Sequence, residues 1–272
     1  MRTRASSAVW VSGSNGQLLT HSNHLGTHLD GEIHFYTPGK DIASLQLNDF
    51  LVGPGVVVDL SDATGDYQIY TPQMIEDRVE VREGDVLIIH TGYHHFGWDS
   101  PGADEIRYMV KHPGPDREFA EWAKAKKLRW IGVDCGSADH PMNTIIRDWM
   151  PRQARQADKV FRKKYGMPLA EFFDDTKYQL MHLEMFPYGI IHAECIGGEI
   201  DLLLNRRVTI GMFPWRFVDG ESCISRCVAI VDDAEYESLM AKKASMPTTR
   251  FGDAFDPAHV ESINKLSAVN LS

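Results

Sequence analysis

Residues 24–34 read HLGTHLDGEIH: three histidines, an aspartate and a glutamate within eleven positions, with Gly26 and Gly31 set between them. His24, His28, Asp30 and His34 all occupy even positions, so an extended segment carries their side chains on one face. A helix, at about 3.6 residues per turn, would rotate Asp30 away from His24 and His28. An extended chain has its own difficulty. A rise of about 3.3 Å per residue holds His24 and His28 roughly 13 Å apart, whereas two imidazoles sharing one ion must each come within about 2.0–2.2 Å of it. Gly26 resolves this, because glycine adopts backbone angles closed to other residues and so can curl the chain between the rings. A single histidine is usually a surface or hydrogen-bonded core residue. Two histidines and an aspartate converging around a glycine are different, since buried charges are costly unless an ion compensates them. The stretch therefore predicts a loop curled around a metal.

The rest of the chain sets the scale. Its 272 residues, 43% of them hydrophobic, suffice for one large core. With 28 basic against 38 acidic residues the formal net charge is -10, which argues against nucleic acid or an anionic membrane as partner and favours a small-molecule substrate. The start, MRTRASSAVWVSGSNG, lacks the apolar run of a signal peptide, and no segment approaches the ~18 apolar residues of a membrane span. A cytoplasmic location is expected. Cys135, Cys195, Cys223 and Cys227 are few and scattered, which suits a reducing compartment. Cys223 and Cys227 are read as two small residues on one strand face.

GVVVDLSD (55–62) and GDVLIIHTGY (84–93) read as buried strands. PDREFAEWAKAKK (115–127) reads as a helix, opened by proline and acidic residues and closed by lysines. LRWIGVDCGSADH (128–140) returns to a strand and a polar turn. Strand, helix, strand implies an α/β layering with some parallel pairing. The basic stretch IIRDWMPRQARQADKVFRKKYG (145–166) predicts a solvated amphipathic helix, with a lid or subunit contact as the alternative. GIIHAECIGGEIDLLL, RRVTIGMFPWRF and ISRCVAIVDD supply further strands, and DAEYESLMAKK (233–243) a helix.

Together these motifs resemble the cyclase-like metal-dependent hydrolases, the family of bacterial kynurenine formamidase and isatin hydrolase. The resemblance rests on H-x-G-T-H-x-D-x-x-x-H at 24–34. GDVLIIHTGY, GVDCGSAD and DGESCISRCVAI support it, so that it spans roughly residues 17–232. It implies an α/β fold, a mixed β-sheet partly rolled into a barrel-like core with outer helices, forming a single domain over 1–272 with an insertion at 141–181 and a C-terminal tail at 247–272. It also implies a homodimer or homotetramer. On this resemblance His24, His28 and Asp30 bind a first ion and His182 and Glu194 complete a second site. Asp30 bridges the two, and His34 is the catalytic acid/base. The ion is Mn²⁺ if isatin hydrolases are the nearer relatives and Zn²⁺ if the formamidases are, with one or two ions according to whether His182 binds. Three features depart from the family pattern. The motif comes early, so a preceding strand is expected to be short or missing. Glu32 replaces the usual proline. The segment between Asp139 and His182 is long.

The implied chemistry is hydrolysis of a C–N bond in a cyclic amide or aryl formamide, an isatin-like lactam leading. Lactone or ester hydrolysis, a biosynthetic ring closure, and a metal-stabilised binding protein without catalysis are the rivals. Phe35 and Tyr36, next to His34, and Trp98, Trp149, Phe213 and Trp215 are candidates to frame a flat substrate, with core packing the other reading for each. Arg216 and Arg226 are candidates to hold a carboxylate product, a surface ion pair being the alternative.

Overall fold

The computed structural model describes residues 18–174 and 178–243. Seven strands appear in it: β1 (His28–Asp30), β2 (Val52–Asp59), β3 (Val86–His90), β4 (Trp130–Val133), β5 (Ile191–Glu194), β6 (Arg206–Pro214) and β7 (Ser222–Ile230). The apolar runs read as buried strands are β2 and β3, and every residue of β3 and β4 is buried. β2 to β5 run parallel in the order β2, β3, β4, β5. Parallel strands are buried on both faces and read as continuous apolar runs, which is how VVVD and VLIIH look in the sequence. β6 pairs antiparallel with β2, β7 with β6, and β1 with both β5 and β7. The sheet is thus a closed barrel, more complete than the partly rolled sheet expected. The short β1 is the closing strand, so His28 and Asp30 sit at the seam of the barrel.

Helix α1 (Arg117–Ala125) begins where Asp116 accepts the Phe119 amide at 3.1 Å, an N-cap that satisfies one of the four free amides of a helix start. Its buried face, Phe119, Ala120 and Ala123, packs on the main core. Helix α2 (Pro151–Tyr165) has proline at its first position and ends on Gly166 at φ +72°. It buries only Ala157 and Phe161, as the solvated amphipathic reading requires. These two form a second apolar cluster with Tyr67, Ile69, Val110, Met142, Leu169 and Phe173. Met142, Ala157, Phe161, Leu169 and Phe173 thus pack with residues from outside the 141–181 segment, while Leu180 and Met181 join the main core. Helix α3 (Leu180–Met185) follows, and α4 (Asp233–Lys243) ends the described chain. The expected tail at 247–272 lies outside the described residues, and among the described ones no helix is long and apolar enough to cross a membrane. All four cysteines are free thiols, and Cys223 and Cys227 both lie on β7, as expected.

His140 packs into this second cluster. Its ring stacks 5.0 Å from Phe173, its Nε2 donates to the Tyr67 carbonyl at 3.1 Å, and its Nδ1 accepts the Met142 amide at 3.1 Å. That tautomer is neutral, and a proton on Nδ1 would break the Met142 bond. Burial accordingly pushes the His140 pKa down to about 3. In the unfolded chain the ring takes a proton near pH 6.5. Between the two values the unfolded state binds more protons, so stability falls as the pH drops. From pH 7 to pH 5 this one group should remove about 2 kcal/mol. Urea unfolding at both pH values checks it: His140→Gln should shrink the pH dependence by that amount.

Candidate metal and catalytic site

Gly26 adopts φ +64°, and a Cβ there would meet no atom within 4 Å, so the left-handed backbone and not crowding makes glycine the fitting residue. The curl brings the His24 and His28 rings to 4.9 Å between centroids. The reading of Gly26 as the hinge of the motif is met. Register then aligns the other strand: His28 pairs with Glu194 across β1 and β5, and paired residues share a face.

Asp30, wholly buried, stands at the centre. Its Oδ1 is 3.1 Å from His24 Nδ1 and 3.5 Å from His28 Nε2, and its Oδ2 is 3.5 Å from His182 Nε2. Glu194 Oε2 lies 3.6 Å from His28 Nε2, and its Oε1 lies 3.8 Å from His182 Nε2. One group of potential ligands is therefore His24, His28 and Asp30, and another is Asp30, His182, His192 and Glu194. Asp30 belongs to both, with one oxygen toward each. The five residues read as metal ligands converge on one place.

Two motifs hold them there. The turn after β4, residues 136–139, supplies the Ala138 amide (2.8 Å) and the Ser137 hydroxyl (3.1 Å) to Glu194 Oε1. Asp139 Oδ2 takes His182 Nδ1–H at 2.5 Å while its Oδ1 accepts the Met181 amide at 2.7 Å. His28 Nδ1 donates to the Gly26 carbonyl at 2.8 Å. A carbonyl only accepts, so Nδ1 carries a proton and Nε2 is the atom turned to the site. Carboxylate or carbonyl behind each imidazole is the outer arrangement that orients metal-binding histidines.

The electrostatics agree. Burial opposes charge on Asp30, but His182, His24 and His28 hold its carboxyl far below the usual range. Burial also opposes charge on His182, yet Asp139 and Asp30 raise it well above its ordinary value. The Asp30 carboxylate, 3.1 Å away, outweighs burial at His24 and pushes it up to about 9. Burial raises Glu194, and the nearby Asp30 raises it further. Even so, His28 Nε2 and both Asp30 oxygens are buried with no aligned hydrogen bond. Unsatisfied buried groups of this kind are expensive, and a divalent cation among them would satisfy all three at once. The donor set of imidazoles and carboxylates fits such an ion.

His34 closes a single helical turn, Glu32–His34. Its ring lies 4.5 Å from that of His24 and 5.7 Å from that of His182. Its Nδ1 stands 2.8 Å from Glu221 Oε2, which is also 2.8 Å from His24 Nε2. Burial lowers the His34 pKa, keeping the ring neutral near pH 7. Glu32, in the family's proline position, turns away and accepts the Lys40 amide at 2.9 Å.

A cleft of about 1330 Å³ reaches His24, His28 and Glu194 and is walled by Trp98, Tyr108 and Arg226. Of the six aromatic side chains expected to frame a substrate, Trp98 alone lines it. Phe35 packs 4.7 Å from the His182 ring and buttresses it, Tyr36 packs against the core, and Phe213, on β6, does not border the cleft. Trp149 and Trp215 are exposed, and Arg216 is engaged with the Ala43 carbonyl at 3.3 Å. Three residues of the site escaped sequence reading. His192, with both ring nitrogens buried and unpartnered, could have been found from its period-two relation to Glu194. Asp139 lay inside a noted motif without an assigned role. Glu221 is 197 residues from His24 and carries no local signal.

The Cyclase family model matches residues 2–140, just over half of the chain. The chain belongs to the Cyclase family. Among curated relatives, the kynurenine formamidase of Geobacillus thermodenitrificans is 31% identical over 140 residues, which is 51% of this chain and 59% of that protein. The kynurenine formamidase of Erythrobacter litoralis is 31% identical over 123 residues, 44% and 49% respectively. The match thus spans about half the length of these relatives. Among solved structures, isatin hydrolase A from Labrenzia aggregata bound to benzyl benzoate superposes with a TM-score of 0.62 at 19% identity, covering 83% of this chain and 80% of that one. Isatin hydrolase A from Ralstonia solanacearum gives 0.61 at 20% identity with the same coverage. At such identities the likeness shows the fold, which is the cyclase fold.

Asp139 offers a test of the Cyclase-family site that spares the ligands. Asp139→Asn is expected to weaken divalent-metal binding roughly 10–100-fold, the usual cost of losing an outer partner. Metal titration by calorimetry measures it, and unchanged affinity would remove His182 from the ligand set.

Proposed function

We propose that the chain is a divalent-metal-dependent hydrolase that opens a C–N bond in a cyclic amide or aryl formamide, an isatin-like lactam being the leading substrate. The observation that carries this is the buried, unsatisfied set of Asp30 and His28 Nε2, flanked by His182, Glu194 and a neutral His34. The names of the relatives, kynurenine formamidase and isatin hydrolase, supply the substrate class. His24, His28, Asp30, His182 and Glu194 are the residues that would hold one or two ions, Mn²⁺ first and Zn²⁺ second. A divalent ion so held polarises a carbonyl oxygen and makes a neighbouring water acidic.

The protein's own part is proton handling and orientation. With Glu221 Oε2 2.8 Å from Nδ1 and favouring the proton on that nitrogen, the His34 ring would keep the Nε2 lone pair to receive a proton from water. Glu221 then stabilises the imidazolium, and the same proton is passed to the leaving nitrogen, which is otherwise too basic to depart. Trp98 gives the cleft a flat apolar wall. Arg226, exposed on that cleft, is placed to meet the carboxylate product.

Purified protein should be assayed with Mn²⁺ and with Zn²⁺ against isatin, N-formylkynurenine and simple lactones. Turnover of either C–N substrate supports the reading. Cleavage of lactones alone would replace it with ester hydrolysis at the same site, and metal binding without any turnover would leave a binding protein. The oligomeric form expected from the family, a homodimer or homotetramer, belongs to the same proposal.

A further inference from the structure

β3 ends at His90 and runs directly into the sequence Thr-Gly-Tyr-His-His. Gly92, at φ +78°, turns the chain, and a short helical turn over Tyr93–Phe96 folds His94 and His95 back toward His90. From 107 residues further on, the turn Ile200–Leu202 delivers Asp201. Asp201 Oδ1 lies 3.0 Å from His90 Nε2, while its Oδ2 lies 3.1 Å from His94 Nε2 and 3.4 Å from His95 Nε2. None of these four residues belongs to the site built around Asp30. Both groups face the same cleft.

The rings are held from behind as ligands are. Asp59 Oδ1 is 2.8 Å from His90 Nδ1, and Asp134 Oδ2 is 3.2 Å from His94 Nδ1. Asp59 is fixed by the Ser61 hydroxyl at 2.7 Å, and Asp134 by the Thr91 hydroxyl at 2.6 Å and the Gly92 amide at 2.7 Å. Because each carboxylate takes the Nδ1 proton, both rings point Nε2, the atom a metal would bind, toward Asp201. His90 is 3% exposed, and its Nε2 is buried without a hydrogen bond although the Asp201 oxygen is so near. A shared cation explains both facts. Ligands about 2.0–2.2 Å from one tetrahedral ion stand roughly 3.3–3.6 Å from each other, and one ligand atom from each of the four residues lies within 4.8 Å of the rest. Three carboxylates, Asp59, Asp134 and Asp201, also surround the imidazoles, a negative excess that a divalent ion would offset.

We propose that His90, His94, His95 and Asp201 form a second, separate site for a divalent transition-metal ion, three imidazoles and one carboxylate suiting Zn²⁺ best. The ion ties the Tyr93–Phe96 turn to the Ile200–Leu202 turn and so steadies the wall of the cleft that carries Trp98. His95, half-exposed, is the ligand open to solvent.

The test uses the full chain stripped with chelator and titrated with Zn²⁺, and with Co²⁺ followed by its visible absorption. In an Asp30→Asn/His182→Ala background, which empties the first site, one equivalent of metal should remain and should raise the melting temperature. Adding His94→Ala should remove that equivalent. Adding His95→Ala instead, at an exposed position that does not threaten folding, should weaken it by more than the roughly 10–100-fold that an outer partner costs. The proposal is overturned if the background binds no metal, or if His95→Ala and His94→Ala leave the residual equivalent unchanged. Neither outcome touches the hydrolase reading, which rests on other residues.

Discussion

Asp30→Asn is expected to strip the first site of metal and to reduce hydrolysis by roughly 10³-fold or more, since a catalytic cation supplies several kcal/mol of transition-state stabilisation. The reason lies in its position. Asp30 is the one residue shared by the His24–His28 group and the His182–His192–Glu194 group, with an oxygen turned to each. The amide keeps one acceptor but replaces the other with a donor aimed at His28 or His182, so neither half keeps its charge. Metal analysis of the purified variant beside a circular-dichroism check of folding is the measurement. A folded Asp30→Asn protein with full metal content would mean that the ion, if any, sits elsewhere.

The second large effect belongs to His34. His34→Ala should lower kcat by 10² to 10⁴-fold, roughly the range for a lost general acid/base, while metal content stays at the wild-type level. Burial holds His34 below its ordinary value of 6.5, so the wild-type protein should keep its base form at pH 7. It should lose activity on the acid side only as the pH falls through that lowered pKa. In the variant this acid limb should disappear from the kcat profile. Loss of metal in parallel with activity would make His34 a ligand and not the proton carrier. The comparison therefore separates two roles that share one location.

Much of the fold was legible in short stretches because the signals are local. β3 is an unbroken apolar run because a parallel strand is buried on both faces, and α1 starts at Arg117 because Asp116 can cap it. The even spacing of His24, His28 and Asp30, with Gly26 between, marked side chains that come together and the place where the chain must curl. The aromatic residues were not legible in this way. Whether Phe35, Trp98 or Phe213 lines a cleft depends on which strand passes behind each, and period alone does not carry that.

What the amino-acid sequence determined by itself, then, is the β-rich α/β architecture, the histidine-rich motif and the family. These follow from residue type and spacing within a few turns of chain. Only the tertiary structure decided that the barrel closes through β1, that Glu221 supports His34, that Asp139 backs His182, and that Asp201 meets three histidines. The physical reason is that each of these depends on a pairing across the closed sheet or between distant turns. A carboxylate finds its imidazole there by strand register and loop path, and neither leaves a trace in the neighbouring residues.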